Sequence, residues 1–488
     1  MSPRLDLSKE DKGNLITLLA LGLVLRLYAF SQIYLIAKDG AFQYIPVAKL
    51  FYEGEYLQAL LQPQLPLYPF LLSLFSHITG DFELAGQLIS IIFSILAVFP
   101  LYFIGKSLFG PKPAFWTTLL YLINPLMLWS SVDVLKEGAF IFFFFSSVYC
   151  SLEFLREGRR AWLIWTVVFA VAGALTRMIT LEVLLVLGLW LVYVGLRERL
   201  REKKLAYRYL FVVILFFGVI MAFVIPGIWG WEFWIVKKPY AAAEGILQRW
   251  FVYQLPSLSH IGERSLYIIG RFIEKAYPLP FLLALVGLGW RVKAKEFGTE
   301  ERYIALLMVA LIIIFFPLLY ASGRYLLPAI FLFYLWAGFG FVKMREFIDN
   351  RFTRYPKLNA VIFVMLILLT IVPISLQPQR LDKIGRKEVG LWLREQSLSP
   401  PLILTNIPRV AYYAGGRYLS IPPKATPEKI VNRGKRAGID YLVIEEKRSS
   451  ISKSLTPFEK EGELELILRH PYGRKGRIIY VYRLRGNE

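Results

Sequence analysis

The chain is written as long apolar runs separated by short polar joints. Residues 210–225 read LFVVILFFGVIMAFVI and residues 303–319 read YIALLMVALIIIFFPLL. A helix needs ~20 apolar residues to cross a hydrocarbon layer of ~30 Å. By that measure the pattern predicts spans near 14–34, 84–105, 113–130, 138–155, 161–176, 179–196, 208–228, 277–292, 303–320, 325–343 and 357–376, about eleven in all. The stretch 65–79 is also apolar, but short and flanked by proline. After residue 376 the period changes. PLILTN (401–406), DYLVIEE (440–446), LELILRH (464–470) and RIIYVYRL (477–484) read as strands. RKEVGLWLREQS (386–397) and TPEKIVNRGKRAG (426–438) read as helices, the second with Thr426 as N-cap, Pro427 at the first helical position and Gly438 as the stop. The expected fold class is therefore mainly α: a polytopic transmembrane helical bundle over 1–376, with outer loops at 35–83 and 229–276, followed by a small extracytoplasmic α/β domain over 377–488. Neither an internal repeat nor a matched pair of broken helices is visible in the sequence.

Composition narrows the class. Of 488 residues 56% are hydrophobic and 19% charged, and apolar runs of the observed length have no place in a water-soluble enzyme of ordinary design. Aromatic residues at 16% exclude disorder. The one cysteine, Cys150, lies inside an apolar run, so there is neither a disulfide framework nor a cysteine metal site. His77, His260 and His470 are too widely spaced to suggest a zinc constellation.

Charge sets the topology. The formal net charge is +21, and much of it sits in joints that fall on one side of the bundle, such as REGRR (156–160), RERLREKK (197–204) and KMREFIDNR (343–351). The joints at 130–137 and 321–324, on the other side, carry one Lys and one Arg. Positive-inside bias then predicts a cytoplasmic N-terminus, a multi-pass protein of the plasma membrane, and a tail outside. Residues 1–13 are highly charged and the first apolar run is too long for a cleavable leader, so it reads as a signal anchor. Basic residues with this distribution are topology determinants and headgroup contacts; no nucleic-acid partner is expected.

Acidic residues on the predicted outer side are few. Asp39 follows the first span, and Asp133 and Glu137 share the short joint SSVDVLKEGAF (130–140) with Lys136. A lone loop carboxylate is usually just solvated, but two acidic loops whose flanking spans pack together are a candidate site. Arg177 in ALTRMIT (174–180) and Arg324 in ASGRYLLP (321–328) occupy short outer joints. Snorkelling is the plain explanation for such arginines, yet topology disfavours cations outside, which points instead to phosphate binding. Arg264 and Arg271, with Lys237 and Lys238, are weaker candidates of the same kind in the large outer loop; Tyr44, Tyr68 and Tyr325 are candidate pocket liners, and Arg26 lies within the first span. A carboxylate set and a phosphate-binding set at one face suit group transfer from a lipid phosphate. The phosphate departs as an anion and needs positive charge rather than an acid, and one carboxylate suffices as general base for the acceptor.

In the order of these motifs the chain resembles GT-C-fold, polyprenyl-phosphate-sugar-dependent glycosyltransferases of the protein mannosyltransferase and aminoarabinose (lipid A) transferase superfamily. The resemblance covers nearly the whole chain. It rests on Asp39, Tyr44, Ala48, Gly54, PLYP (66–69), KSLFG (106–110), KEGAFIFFFF (136–145), LTR (175–177) and RYLLP (324–328); GLWLRE (390–395) and AYYAG (411–415) are similar to outer domains of bacterial members. The family often has Asp-Glu at its first acidic site, where this chain has Asp39-Gly40, and often His or Lys before Pro-Leu, where this chain has Gln64 and Leu65. Neither outer loop carries a DxD triplet, which sets the chain apart from the metal-dependent oligosaccharyltransferase branch.

The resemblance implies inverting transfer from a polyprenyl-phosphate sugar with Asp39 as catalytic base, and leaves Glu137 and Asp133 as alternatives for the second acidic residue. Its implied partners are the donor, membrane lipids and an acceptor that is a lipid, a glycan or a protein. No cofactor is expected, and the sequence leaves a divalent metal open. Two other classes compete. A lipid-linked-sugar flippase would carry ionisable residues deep in its spans, which apart from Arg26, Glu153 and Glu182 are nearly bare of them. An O-antigen polymerase or ligase would centre on a large Arg-rich outer loop.

Overall fold

The computed structural model describes residues 7–62, 64–198, 258–315, 323–351, 356–422, 425–446, 451–473 and 476–485. The chain forms two compact units: Met1–Phe30 with Val47–Gln377, and Ser31–Pro46 with Pro378–Glu488. The sequence placed 31–46 with the membrane part; in the structure it belongs to the second unit.

The first unit is helical. Its described elements are α1 (Lys9–Ser31), α2 (Ile45–Tyr52, entered from the second unit), α3 (Tyr56–Leu60), α4 (Leu67–Thr79), α5 (Phe82–Leu96), α6 (Val98–Phe109), α7 (Pro111–Ile123), α8 (Pro125–Ser130), α9 (Glu137–Glu157), α10 (Arg160–Ala174), α11 (Leu181–Glu198), α12 (Leu258–Ala276), α13 (Pro278–Ala294), α14 (Thr299–Ala310), α15 (Leu327–Arg351) and α16 (Pro356–Leu376). Among the described residues five helices are long and apolar enough to cross a membrane, or six when the bent pair α12–α13 counts as one; α4, α10 and Met178–Val194 are apolar but shorter. The expected span at 208–228 and the end of that at 303–320 lie outside the described residues. This is a multi-pass membrane protein.

The expected span at 84–105 is one long helix with a local irregularity, whereas that at 113–130 is broken, each for a local reason. At 84–105 the helix pauses at Ala97, because Pro100 has no N–H to give the Leu96 carbonyl. At 113–130 Asn124 turns to an extended conformation, its side chain accepts from Met127 N, and Pro125 opens a new helix. The freed Asn124 amide is not wasted: it donates to Tyr334 Oη at 3.1 Å, and Tyr334 in turn donates to Ala276 O at 2.8 Å.

The buried axis of the bundle is α15, whose residues from Leu327 to Phe341 are nearly all inaccessible. It packs on α13 by backbone contact. A Cβ at Gly287 would run into Trp336 O, and one at Gly340 into Leu283 O. Small residues at such crossings are how membrane helices gain close packing when lipid is as apolar as the side chains.

The second unit is a three-layer α/β sandwich with sheet order β2-β1-β3-β5-β4, where β1 is Leu402–Thr405, β2 Arg417–Ser420, β3 Tyr441–Glu446, β4 Leu464–Tyr472 and β5 Arg477–Leu484. β1 runs parallel to β2 and β3; β5 is antiparallel to β3 and β4. One face carries α17 (Gly385–Gln396) and α18 (Arg409–Tyr413) over Ile403, Tyr441, Val443, Ile479 and Val481. The other carries α19 (Pro427–Ala437) and α20 (Ile451–Lys460) over Leu404, Leu442, Ile444, Tyr480 and Tyr482. All four strands and both helices read from the sequence are present, and Thr426 and Gly438 cap α19 as their types require. β2, α18 and α20 were not anticipated.

Candidate active site

Within the first unit, four separated motifs meet where α9 and α15 begin. Glu137 opens α9 and is 1% exposed. Its Oε1 accepts from Arg177 Nη2 at 2.9 Å and stands 3.3 Å from Arg324 Nη1. Arg177 Nη1 reaches Arg324 O at 3.5 Å. The fourth motif, the Pro-Leu-Tyr-Pro turn, is pinned by Leu67 N donating to Leu175 O at 3.2 Å.

Local sequence explains each placement. After α10 the chain closes a tight turn: Arg177 N and Thr176 Oγ1 both donate to Gly173 O, and Thr180 Oγ1 donates to Arg177 O. A Cβ on Gly173 would collide with Thr180, so only glycine lets this turn fold back. Arg177 itself is extended, which swings its guanidinium between the rings of Phe140 at 4.8 Å and Tyr325 at 4.1 Å. Arg324 stands in the 3-10 turn Gly323–Leu326 that leads into α15. Lys275 lies against Gly323, where a Cβ would sit 3.2 Å from its Cε.

The acidic loop is held from below. Ser90 Oγ donates to Leu135 O at 2.8 Å, Tyr68 Oη to Gly86 O at 3.2 Å, and Val134 N to Asp133 Oδ1 at 2.8 Å. Gly86 and Gly138 admit Val134 and the Ser90 carbonyl respectively; a Cβ at either would lie 2.6 Å from its neighbour.

This geometry assigns each expected residue a place. Glu137, Arg177, Arg324 and Tyr325 come together. Asp133 is 1% exposed and lies in the same joint as Lys136. Tyr68 is fully buried and braces α5. Arg271 is spent on its own helix, with Tyr267 Oη at 3.0 Å and Glu274 Oε2 at 2.7 Å. Arg264 lies in α12, and its side chain is outside the described residues, as are Lys237 and Lys238. Asp39 and Tyr44 belong to the second unit. There Asp39 is helical and directly precedes the π-helical turn Gly40–Tyr44; Tyr44 is buried. Arg26 does not snorkel. It is fully buried, with Nε on Ser94 Oγ at 3.0 Å and Nη1 on Leu122 O at 3.4 Å. Sequence reasoning missed Phe140 and Lys275. Phe140 was within reach, since it stands three residues after Glu137 on one helical face.

Chemically, Arg177 is committed by an ion pair and two aromatic faces. Arg324, with its side chain 29% exposed, is the guanidinium that still meets solvent. Glu137 serves two arginines through one oxygen, and its Oε2 has no hydrogen-bond partner. The centre is therefore built to hold cations in place and to present one of them to an anion. Among the described residues no group of three His, Cys, Asp or Glu side chains is placed to hold a metal.

Comparison with known proteins identifies the fold in which these residues sit. Residues 62–222, a third of the chain, match the family described as dolichyl-phosphate-mannose-protein mannosyltransferase. No curated protein matches in sequence. ArnT from Cupriavidus metallidurans, in a crystal structure bound to undecaprenyl phosphate, is similar over 96% of this chain and 98% of its own, with 13% identity and a TM-score of 0.59. The oligosaccharyltransferase AglB from Archaeoglobus fulgidus, in complex with an inhibitory peptide and a dolichol-phosphate, is similar over 90% of this chain and 70% of its own, with 10% identity and a TM-score of 0.56. The arabinofuranosyltransferase AftD from Mycobacteria is similar over 97% of this chain and 42% of its own, with 14% identity and a TM-score of 0.51. Bundle, tail and the order of motifs together give this chain the GT-C glycosyltransferase fold.

Proposed function

We propose that this protein is an inverting glycosyltransferase of the plasma membrane that moves a sugar from a polyprenyl-phosphate donor to an extracytoplasmic lipid, glycan or protein. The observation that carries the reading is the Glu137–Arg177–Arg324 centre, a preorganised cation site where α9 and α15 begin, in a chain of GT-C fold. The ligand class comes from the neighbours, one bound to undecaprenyl phosphate and another to a dolichol-phosphate. The N-terminus is cytoplasmic and the second unit extracytoplasmic in this reading, as the charge bias requires.

In the proposed step the acceptor oxygen forms the new bond to the anomeric carbon as the bond to the donor phosphate breaks. The acceptor proton goes to Asp39, and the polyprenyl phosphate leaves with the bonding electron pair as an anion. Arg324 meets that anion, and Arg177 fixes Arg324 and the local potential. Glu137, engaged by two arginines, acts as a positioning residue.

A lipid-linked-sugar flippase is the second reading. What favours it is that Arg26 is buried in the bundle and that Glu182 is buried with neither carboxylate oxygen hydrogen-bonded. The deciding experiment is mass spectrometry of lipids and glycans in a strain lacking the protein, complemented with wild type or Asp39→Asn. Transfer predicts that one sugar increment disappears, the donor lipid accumulates, and wild type but not Asp39→Asn restores the product; general-base loss is worth roughly 10²–10⁴ in rate. Full restoration by Asp39→Asn at equal protein level would remove Asp39 from the reaction.

A further inference from the structure

The proposed base is carried by the second unit. Asp39 lies in Ser31–Pro46, and the rest of that unit begins only at Pro378. The segment has little regular structure of its own. Asp39 is helical and then the chain enters the five-residue π-helical turn Gly40–Tyr44. So short a helix is not stable alone, and π turns are rare and concentrate at functional sites. What fixes Asp39 must come from the tail that the segment packs on.

Two hydrogen bonds and a ring contact do so. Leu35, Ile36 and Ala37 are buried, and a buried peptide group needs partners. One peptide unit, Leu35–Ile36, is held at both its polar ends by tail side chains. Its carbonyl accepts from Arg380 Nη1 at 3.0 Å, and its N–H donates to Tyr413 Oη at 3.0 Å. On the far side of Asp39 the Phe42 ring meets that of Tyr418 in β2, with centroids 4.0 Å apart. Asp39 is thus bracketed by tail contacts before and after it in sequence.

The tail residues are themselves fixed for this task. Tyr413 ends α18, and α17 approaches it by backbone: a Cβ on Gly390 would lie 2.6 Å from Tyr413 Cβ and 2.7 Å from Val410 O. Lys387 Nζ lies 5.0 Å from the centre of the Tyr413 ring. Arg380 adopts φ 63°, a left-handed conformation that disfavours any side chain. Glycine would suit that backbone better. An arginine kept there against the strain points to work for its guanidinium.

We infer that Tyr413 and Arg380 are positioning residues for the transfer: the tail clamps the Leu35–Ile36 peptide and so sets where the Asp39 carboxylate stands. This rests on the transfer reading in naming Asp39 the base; the clamp is a property of the second unit alone.

The test has two arms. In the first, full-length protein in detergent is followed by hydrogen–deuterium exchange over 35–44 and over strands β1 and β3. Tyr413→Phe keeps the ring and removes the acceptor; Arg380→Gly removes the fork without straining the backbone. Each unpairs a buried polar group, so exchange over 35–44 is expected to rise about tenfold while β1 and β3 keep wild-type rates. Unchanged exchange over 35–44, or equal acceleration of the strands, overturns the clamp. In the second arm, a strain lacking the protein is complemented at equal protein level and its glycan product measured by mass spectrometry. Product is expected to fall about tenfold with either variant and to recover in part with Arg380→Lys, which keeps a cationic donor. Neither change lowers the residual yield of Asp39→Asn, because a misplaced base and an absent one are the same defect. Full yield from both variants, no recovery with Arg380→Lys, or a further loss in the Asp39→Asn background overturns the positioning role. Full yield from Asp39→Asn removes the base and the positioning role with it, while the exchange arm still decides the clamp, so the two failures are told apart.

Discussion

Where α9 begins, one buried carboxylate, Glu137, holds two guanidiniums through a single oxygen; at the end of the central strand β3 one carboxylate, Glu445, gives both oxygens to Arg386. In the first cluster the anion is the most deeply buried member, and aromatic faces of Phe140 and Tyr325 share the load of Arg177. In the second, the pair is more accessible, and Arg477 stands 3.9 Å from the same carboxylate. The difference lies in what each is set up to do. The bundle cluster displays one arginine beside a shared carboxylate, whereas at the strand end a single bidentate pair uses both carboxylate oxygens.

Removing the anion should break the first cluster and spare the second. Glu137→Gln strands two cations at a buried site and should cost about 3–5 kcal/mol, read as a lower melting temperature and lost transfer. Glu445→Gln acts at a more accessible pair, where water screens the cations left behind, and a smaller stability loss is expected. Equal losses at the two positions would erase the contrast between them.

Next in size is Gly138→Ala. Its Cβ would lie 2.6 Å from Ser90 O, pushing α9 off α5 and the acidic joint with it. About 1–3 kcal/mol of destabilisation is expected from this overpacking, together with a weaker Glu137–Arg177 pair. A fully stable variant with normal transfer would show that the α5–α9 crossing does not set the site.

The smallest effect is expected at Arg26. It is as buried as Glu137 but meets only neutral acceptors and the Tyr121 ring. Arg26→Met should therefore be within about 1 kcal/mol of wild type, or slightly more stable, by thermal unfolding. Loss of transfer without loss of stability would instead give Arg26 a functional part and strengthen the flippase reading.

Much of this was legible in the sequence, and the limits have physical causes. Hydrophobic runs located most of the described membrane helices, because bilayer thickness dictates their length. Alternation and caps located four of the five strands and two of the four tail helices. The break at Asn124 was hidden inside an uninterrupted apolar run, although Pro125 marked it. The short elements β2 and α18 have too few residues for any period to show. Glu137, Arg177 and Arg324 were found singly as charges on the sparing side of the bundle; their meeting is tertiary and no local pattern encodes it. The packing of 31–46 with the tail was equally out of reach, since it depends on contacts such as Phe42 with Tyr418 across hundreds of residues.

The most direct measurement compares affinity for undecaprenyl phosphate in purified wild type and Arg324→Ala, in one detergent and at one salt concentration. Loss of a charge-assisted contact to the phosphate predicts roughly 10- to 100-fold weaker binding in the variant, with the melting temperature little changed. Equal affinity in the two proteins would contradict the claim that the end of the bundle where α9 and α15 begin is built to hold a lipid phosphate.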